Sequence, residues 1–132
     1  MKTLYALIIF SICLMAVNCT DDPGEPFYTD IYGWIRSSSD STGVNGLNLR
    51  IYDIDPQDLN TTRIRERITA EHDSLAGYFE IDSVIFGTTK MQGVGYVSIV
   101  VDSTINPSWP SQIWQPSLRG SVDSIILYIT GN

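Results

Sequence analysis

Leu47, Leu49 and Ile51 alternate with Asn48, Arg50 and Tyr52. A period of two marks a strand with one face buried and the other wet. The same alternation returns along the chain. Over residues 30–36, Ile31, Gly33 and Ile35 oppose Tyr32, Trp34 and Arg36. Over 76–82, Phe79 and Ile81 point inward while Tyr78 and Glu80 point outward. Val97, Ile99 and Val101 form the inner face of 94–102, and Ile125, Leu127 and Ile129 that of 121–130. Residues 63–71 alternate as well, although Arg-Ile-Arg-Glu-Arg also suits a helix. The strand reading places Ile64, Ile68 and Ala70 inward and the arginines outward. Glu66 then falls on the apolar face, where an inward charge guards an edge strand against unwanted pairing.

The runs are separated by turn chemistry. Residues 37–45 are rich in Ser, with Asp40 and Gly43, and 54–62 carry Pro56 among Asp55, Asp58 and Asn60. His72-Asp73-Ser74 makes a turn, and 87–93 is another turn region. A long loop, 104–119, holds Pro107, Pro110 and Pro116, with room for a short edge strand over 112–115. Short strands at regular spacing predict an all-β fold, a single small antiparallel β-sandwich of about seven strands. The chain has 132 residues, 43% of them apolar, which suffices for one packed core.

Formal net charge is −7. Phosphate contacts need a basic face, so no nucleic-acid partner is expected. The first eighteen residues read as a signal peptide. Lys2 supplies the positive start, and residues 4–17 are an almost wholly apolar core, short for a membrane span. The leader runs into Cys19, and Ala16-Val17-Asn18-Cys19 resembles the lipobox of bacterial lipoproteins. That resemblance implies a lipid anchor on Cys19 and a place in the bacterial cell envelope, at the outer membrane or cell surface. Thr20-Asp21-Asp22 resembles the acidic tract that directs some lipoproteins to the surface. The expected organisation is a signal peptide over 1–18, a lipidated cysteine and flexible tether over 19–29, and the sandwich domain over 30–132. The two cysteines are Cys13, inside the leader, and Cys19, so the domain itself has no thiol for a disulfide or a nucleophile.

The order of residues resembles the carboxypeptidase regulatory-like domain, a transthyretin-like (prealbumin-like) β-sandwich. Gly33-Trp34-Ile35 is similar to its opening strand, and Gly43-Val44-Asn45-Gly46-Leu47-Asn48-Leu49 to its second. Ser74-Leu75-Ala76-Gly77-Tyr78-Phe79-Glu80-Ile81 is similar to its central segment, and residues 94–101 and 125–129 to its later strands. The resemblance implies a structural or binding module and carries over no catalytic residues.

Three groups invite chemistry. Asp53, Asp55 and Asp58 sit close together with Asn60, a weak calcium candidate, because calcium takes several oxygens from one flexible loop. They lack the Asp-x-Asp-x-Asp-Gly spacing, and Pro56 stiffens the middle. Trp109 and Trp114 lie in the proline-rich loop. There they cover the open end of the sandwich or present indoles to a ligand, and Trp34 lies on an outer face. His72-Asp73-Ser74 has the residue types of a hydrolytic triad, but neighbours in sequence cannot converge on one reacting atom. Asp-Ser-apolar triplets at Asp73, Asp82 and Asp123 fall at strand ends and also resemble bacterial O-glycosylation sites. No phosphate loop and no metal-spaced His or Cys set occurs. The expectation is a non-catalytic, lipid-anchored interaction module without a cofactor, its partner an envelope protein. The alternative is a carbohydrate-binding lipoprotein using Trp109 and Trp114.

Overall fold

The computed structural model describes residues 21–131. Eight strands run in order: β1 (Pro26–Ser37), β2 (Asn48–Asp55), β3 (Asp58–Ile68), β4 (Ala70–His72), β5 (Leu75–Thr88), β6 (Ser98–Val101), β7 (Gln112–Trp114) and β8 (Val122–Ile129). They form two four-stranded sheets: β4-β5-β1-β8, the first sheet, and β3-β2-β6-β7, the second. The fold is the small all-β sandwich expected. Pairings are antiparallel apart from β1 with β8, which run parallel.

The core is the sum of the inward alternations. Ile31, Ile35, Phe79, Ile81 and Val84 face Leu49, Ile51, Ile99 and Val101, with Leu47 and Ile129 at the margins, all buried. The hairpin between β4 and β5 turns at Asp73 and Ser74, with φ of 50° and 64°, and His72 pairs with Leu75. Two consecutive left-handed residues give the turn whose twist matches the flanking strands. Gly77 follows with φ of 85°, and a Cβ there would collide with the Ile35 carbonyl, so the position requires glycine.

The first strand starts earlier than expected, inside the stretch read as tether. The segment before it is also held. Glu25 N–H donates to Thr89 Oγ1 at 3.0 Å, Lys90 Nζ reaches Asp22 Oδ2 at 3.2 Å, and Thr88 Oγ1 donates to the Pro23 carbonyl. Residues 94–97 stay out of the ladder, because Gly93 and Gly95 take φ of 136° and 106° and break the extended run.

The faces of β3 are the reverse of those expected. Ile64 and Ile68 are 58% and 61% exposed, whereas Arg63, Arg65 and Arg67 turn toward the first sheet. The cause lies on β2. Asp53 is in phase with Leu49 and Ile51, points inward and is fully buried. Arg63, Arg65 and Arg67 stand directly opposite Asp53, Ile51 and Leu49, and opposed residues in an antiparallel pair share a face. Arg63 grips the Asp53 carboxylate through Nε at 2.9 Å and an NH2 at 2.8 Å, and Arg65 adds a contact at 3.1 Å.

The same guanidinium groups then meet the open edge of β5. Arg67 donates to the Glu80 carbonyl at 3.1 Å, Arg65 to that of Asp82 at 2.7 Å and Arg63 to that of Ser83 at 2.6 Å. A bulge at Asp82 and Ser83, opposite Asp30 of β1, brings successive carbonyls to that edge. Arginine side chains thus occupy β5 carbonyls that no neighbouring strand reaches, and they tie the two sheets together along one side.

Candidate functional site

Cys19 lies outside the described residues. The proline-rich loop folds over one end of the sandwich. Asn106, buried, accepts from Asn48 N–H at 2.9 Å and donates to the Asn48 carbonyl at 3.0 Å, fixing the loop to β2. Trp109 and Trp114 are half-buried and pack against the core. Trp114 stands opposite Ile99 and so shares its inward face, while Ile113 points out, 65% exposed. Both indoles lie against the core, Trp114 from the edge strand β7.

Asp53 is saturated by the two arginines and by Ile85 N–H, which donates at 3.1 Å. Asp55 and Asp58 accept from the backbone N–H of Gln57 and Asn60 at 2.8 and 3.1 Å, ordinary turn contacts. Among the described residues, no group of three or more His, Cys, Asp or Glu side chains is placed to hold a metal ion.

The side chains that do converge lie on the outer face of the first sheet. Trp34 is at the centre. Cross-strand register puts it beside Tyr78 of β5 and Ile126 of β8. Its ring meets Tyr78 edge-on at 5.5 Å between centroids and Tyr32 at 6.2 Å. His72, brought up by the tight hairpin, stacks on Tyr78 at 4.2 Å with 19° between planes. The result is a continuous aromatic row running from β4 across β5 onto β1. Its two ends are exposed, His72 and Tyr32 (38%), its middle, Trp34 and Tyr78, is half-buried, and Ile126 and Tyr128 of the neighbouring β8 are each 48% exposed. The Trp34 indole nitrogen is buried with no partner among the described residues.

Carboxylates border the row. Tyr78 Oη donates to Glu80 Oε2 at 2.7 Å. That bond, helped by partial desolvation, pushes the phenol up to about 12. Asp30 accepts from Ser83 N–H at 2.8 Å, and Asp82 is 3.7 Å from Arg67. A shallow depression of about 250 Å³ lies between Tyr32, Tyr78, Glu80, Asp82 and Val122. Flat rings beside acceptor oxygens can take either the apolar side chains of a protein or the C–H face of a sugar whose hydroxyls donate to the carboxylates.

A second concavity, of about 280 Å³, opens at the end of the sandwich where the chain enters β1. Phe27 and Phe86, 5.9 Å apart, form its floor, with Tyr96, Leu118 and Arg119 around it.

Alternation in the sequence places Tyr32, Trp34, Tyr78 and Glu80 outward, as observed. It does not show that they meet, because their adjacency depends on the register between β1 and β5. His72 was read only as a turn residue. The signal that could have revealed it is the two-residue loop Asp73-Ser74, which returns the chain so that His72 lies beside β5. No protein-family model, curated protein or solved structure matches this chain.

Proposed function

We propose that this chain is a non-catalytic, lipid-anchored module of the bacterial cell envelope, a carboxypeptidase regulatory-like sandwich that holds a partner protein on the outer face of its first sheet. The observation that carries the reading is the row His72–Tyr78–Trp34–Tyr32 on the outer face of a sheet, exposed at both ends, while the loop indoles lie against the core. Aromatic side chains supply large contact area at low entropic cost, which is why they dominate recognition surfaces. The anchor on Cys19 would hold this face in the envelope.

The test is the size of the assembly extracted from envelopes in mild detergent. Wild type should migrate with a partner, and changing Trp34 and Tyr78 together to Ala should release it. Changing Ile64 and Ile68, on the outer face of the other sheet, should leave the assembly intact. Retention after the Trp34/Tyr78 change would defeat the reading.

A glycan partner is the second reading, favoured by the pairing of the Tyr78 ring with the Glu80 carboxylate. It moves the sugar platform from Trp109 and Trp114 to the sheet face. Binding on a glycan array, abolished by Tyr78→Ala and unaffected by Ile64→Ala, would select it over a protein partner.

A further inference from the structure

Each sheet edge exposes backbone groups that can pair with another chain, and natural sandwiches guard them. Three arginines cover the open carbonyls of β5. The same inward charges guard β3, and β4 and β7 are only three residues long. The remaining edge, β8, is eight residues long, Val-Asp-Ser-Ile-Ile-Leu-Tyr-Ile, with no proline and one charge. That charge, Asp123, is engaged at the inner side by Thr29 Oγ1 at 2.9 Å.

The hydrogen-bond phase shows which groups of β8 are free. Asp30 N–H donates to the Ser121 carbonyl at 3.0 Å while Asp30 pairs in register with Val122. The odd-numbered residues of β8 therefore bond to β1, and Val122, Ser124, Ile126 and Tyr128 direct their N–H and C=O groups to the open edge. The far end of that edge is occupied. Gln112 donates from Nε2 to the Tyr128 carbonyl at 2.9 Å and accepts from Thr130 N–H at 3.3 Å. Among the described residues, Val122, Ser124 and Ile126 keep both outward groups free, a set symmetric about Ser124, while Tyr128 keeps only its N–H.

We infer that β8 is a pairing edge and that its occupant is β8 of a second copy of this chain, antiparallel and centred on Ser124. In that register Ser124 faces its own copy and Val122 faces Ile126 on the outer side, so three pairs exchange two bonds each. On the inner side Asp123 faces Ile125, so like charges never stand directly opposite. Shifting the centre to Ile125 would pair Val122 with Tyr128, whose carbonyl Gln112 already holds. Opposed residues share a face, so the two sheets join into one and their aromatic rows lie on the same side, doubling the surface. The inference stands on backbone geometry and does not depend on the identity of any partner.

The test is the mass of the detergent-solubilised full chain by light scattering across a concentration series. A strand-edge contact is small, so the series should reach about 1 mM. The expected result is a shift from one to two copies. Ser124→Pro removes an outward N–H without touching the bonds to β1, and Ser124→Lys sets two like charges directly opposite each other at the two-fold; each should restore the monomer with little change in melting temperature. In a chain with Cys13→Ser and Cys19→Ser, mild oxidation should trap Ser124→Cys as a dimer, since paired Cα atoms about 5.5 Å apart suit a disulfide. Ser38→Cys, at a turn, should not be trapped. A monomer throughout, a dimer that survives both Ser124→Pro and Ser124→Lys, or equal trapping at Ser38 and Ser124 would overturn the inference.

Discussion

Asp53 shows how one side chain dictates the arrangement of several others. A carboxylate with no solvent access must be met by charge and by hydrogen bonds, and Arg63, Arg65 and Ile85 N–H meet it. Removing one member of such a cluster leaves the rest uncompensated. Asp53→Ala is therefore expected to lower stability by about 3–5 kcal/mol in urea unfolding, far more than an exposed turn substitution such as Asp58→Ala. Tyr78 offers a finer test. Its phenol is raised from 10.0 to about 12 by the bond it donates to Glu80. The folded value lies above the ordinary one, so this bond's contribution is complete below pH 10.0 and is lost as pH rises through about 12. Absorbance titration should find Tyr78 ionising late, and Glu80→Gln should bring it back toward its ordinary value. The inward phase of Asp53 is legible, because it continues that of Leu49 and Ile51, but its neighbours in sequence point to calcium, and the arginines that hold it are set by the pairing of β2 with β3. The late tyrosine is not legible, because Tyr78 and Glu80 meet through side-chain rotamers that alternation does not specify.

At the scale of elements, the alternation located the central runs of β1, β2, β3, β5, β6 and β8 and, apart from β3, their faces; it did not separate β4, carry β5 past Asp82 or start β6 at Ser98. Ile64 and Ile68 look like core residues beside arginines that look like surface ones, and apolarity alone selects the wrong side. The deciding facts are non-local: Asp53 on the neighbouring strand and the unpaired carbonyls of β5. A pair of substitutions checks the reversal. Ile64→Lys should cost less than about 0.5 kcal/mol, as for an exposed site. Arg65→Ala should cost about 1–3 kcal/mol, because it leaves the Asp82 carbonyl and part of the Asp53 carboxylate without a partner. Equal costs would restore the opposite facing. The parallel pairing of β1 with β8 was also invisible, since period two fixes which side a residue faces and says nothing about strand direction or neighbour.

At the scale of the molecule, the sandwich separates its aromatic residues into two uses. The indoles of Trp109 and Trp114 pack against the core, and the rings of β1, β5 and β4 form a row on the outer face of one sheet, exposed at both ends. The lipid anchor expected at Cys19 has its own check: Cys19→Ser should abolish palmitate labelling and release the protein from membranes. Most directly testable is the claim that the outer face of the first sheet is where a partner sits. A photo-reactive amino acid replacing Tyr32, compared in living cells with the same group replacing Ile64 on the opposite sheet, measures this. A discrete cross-linked product from position 32 and none from position 64 is the predicted result. No product from position 32, or the same product from both, would contradict it.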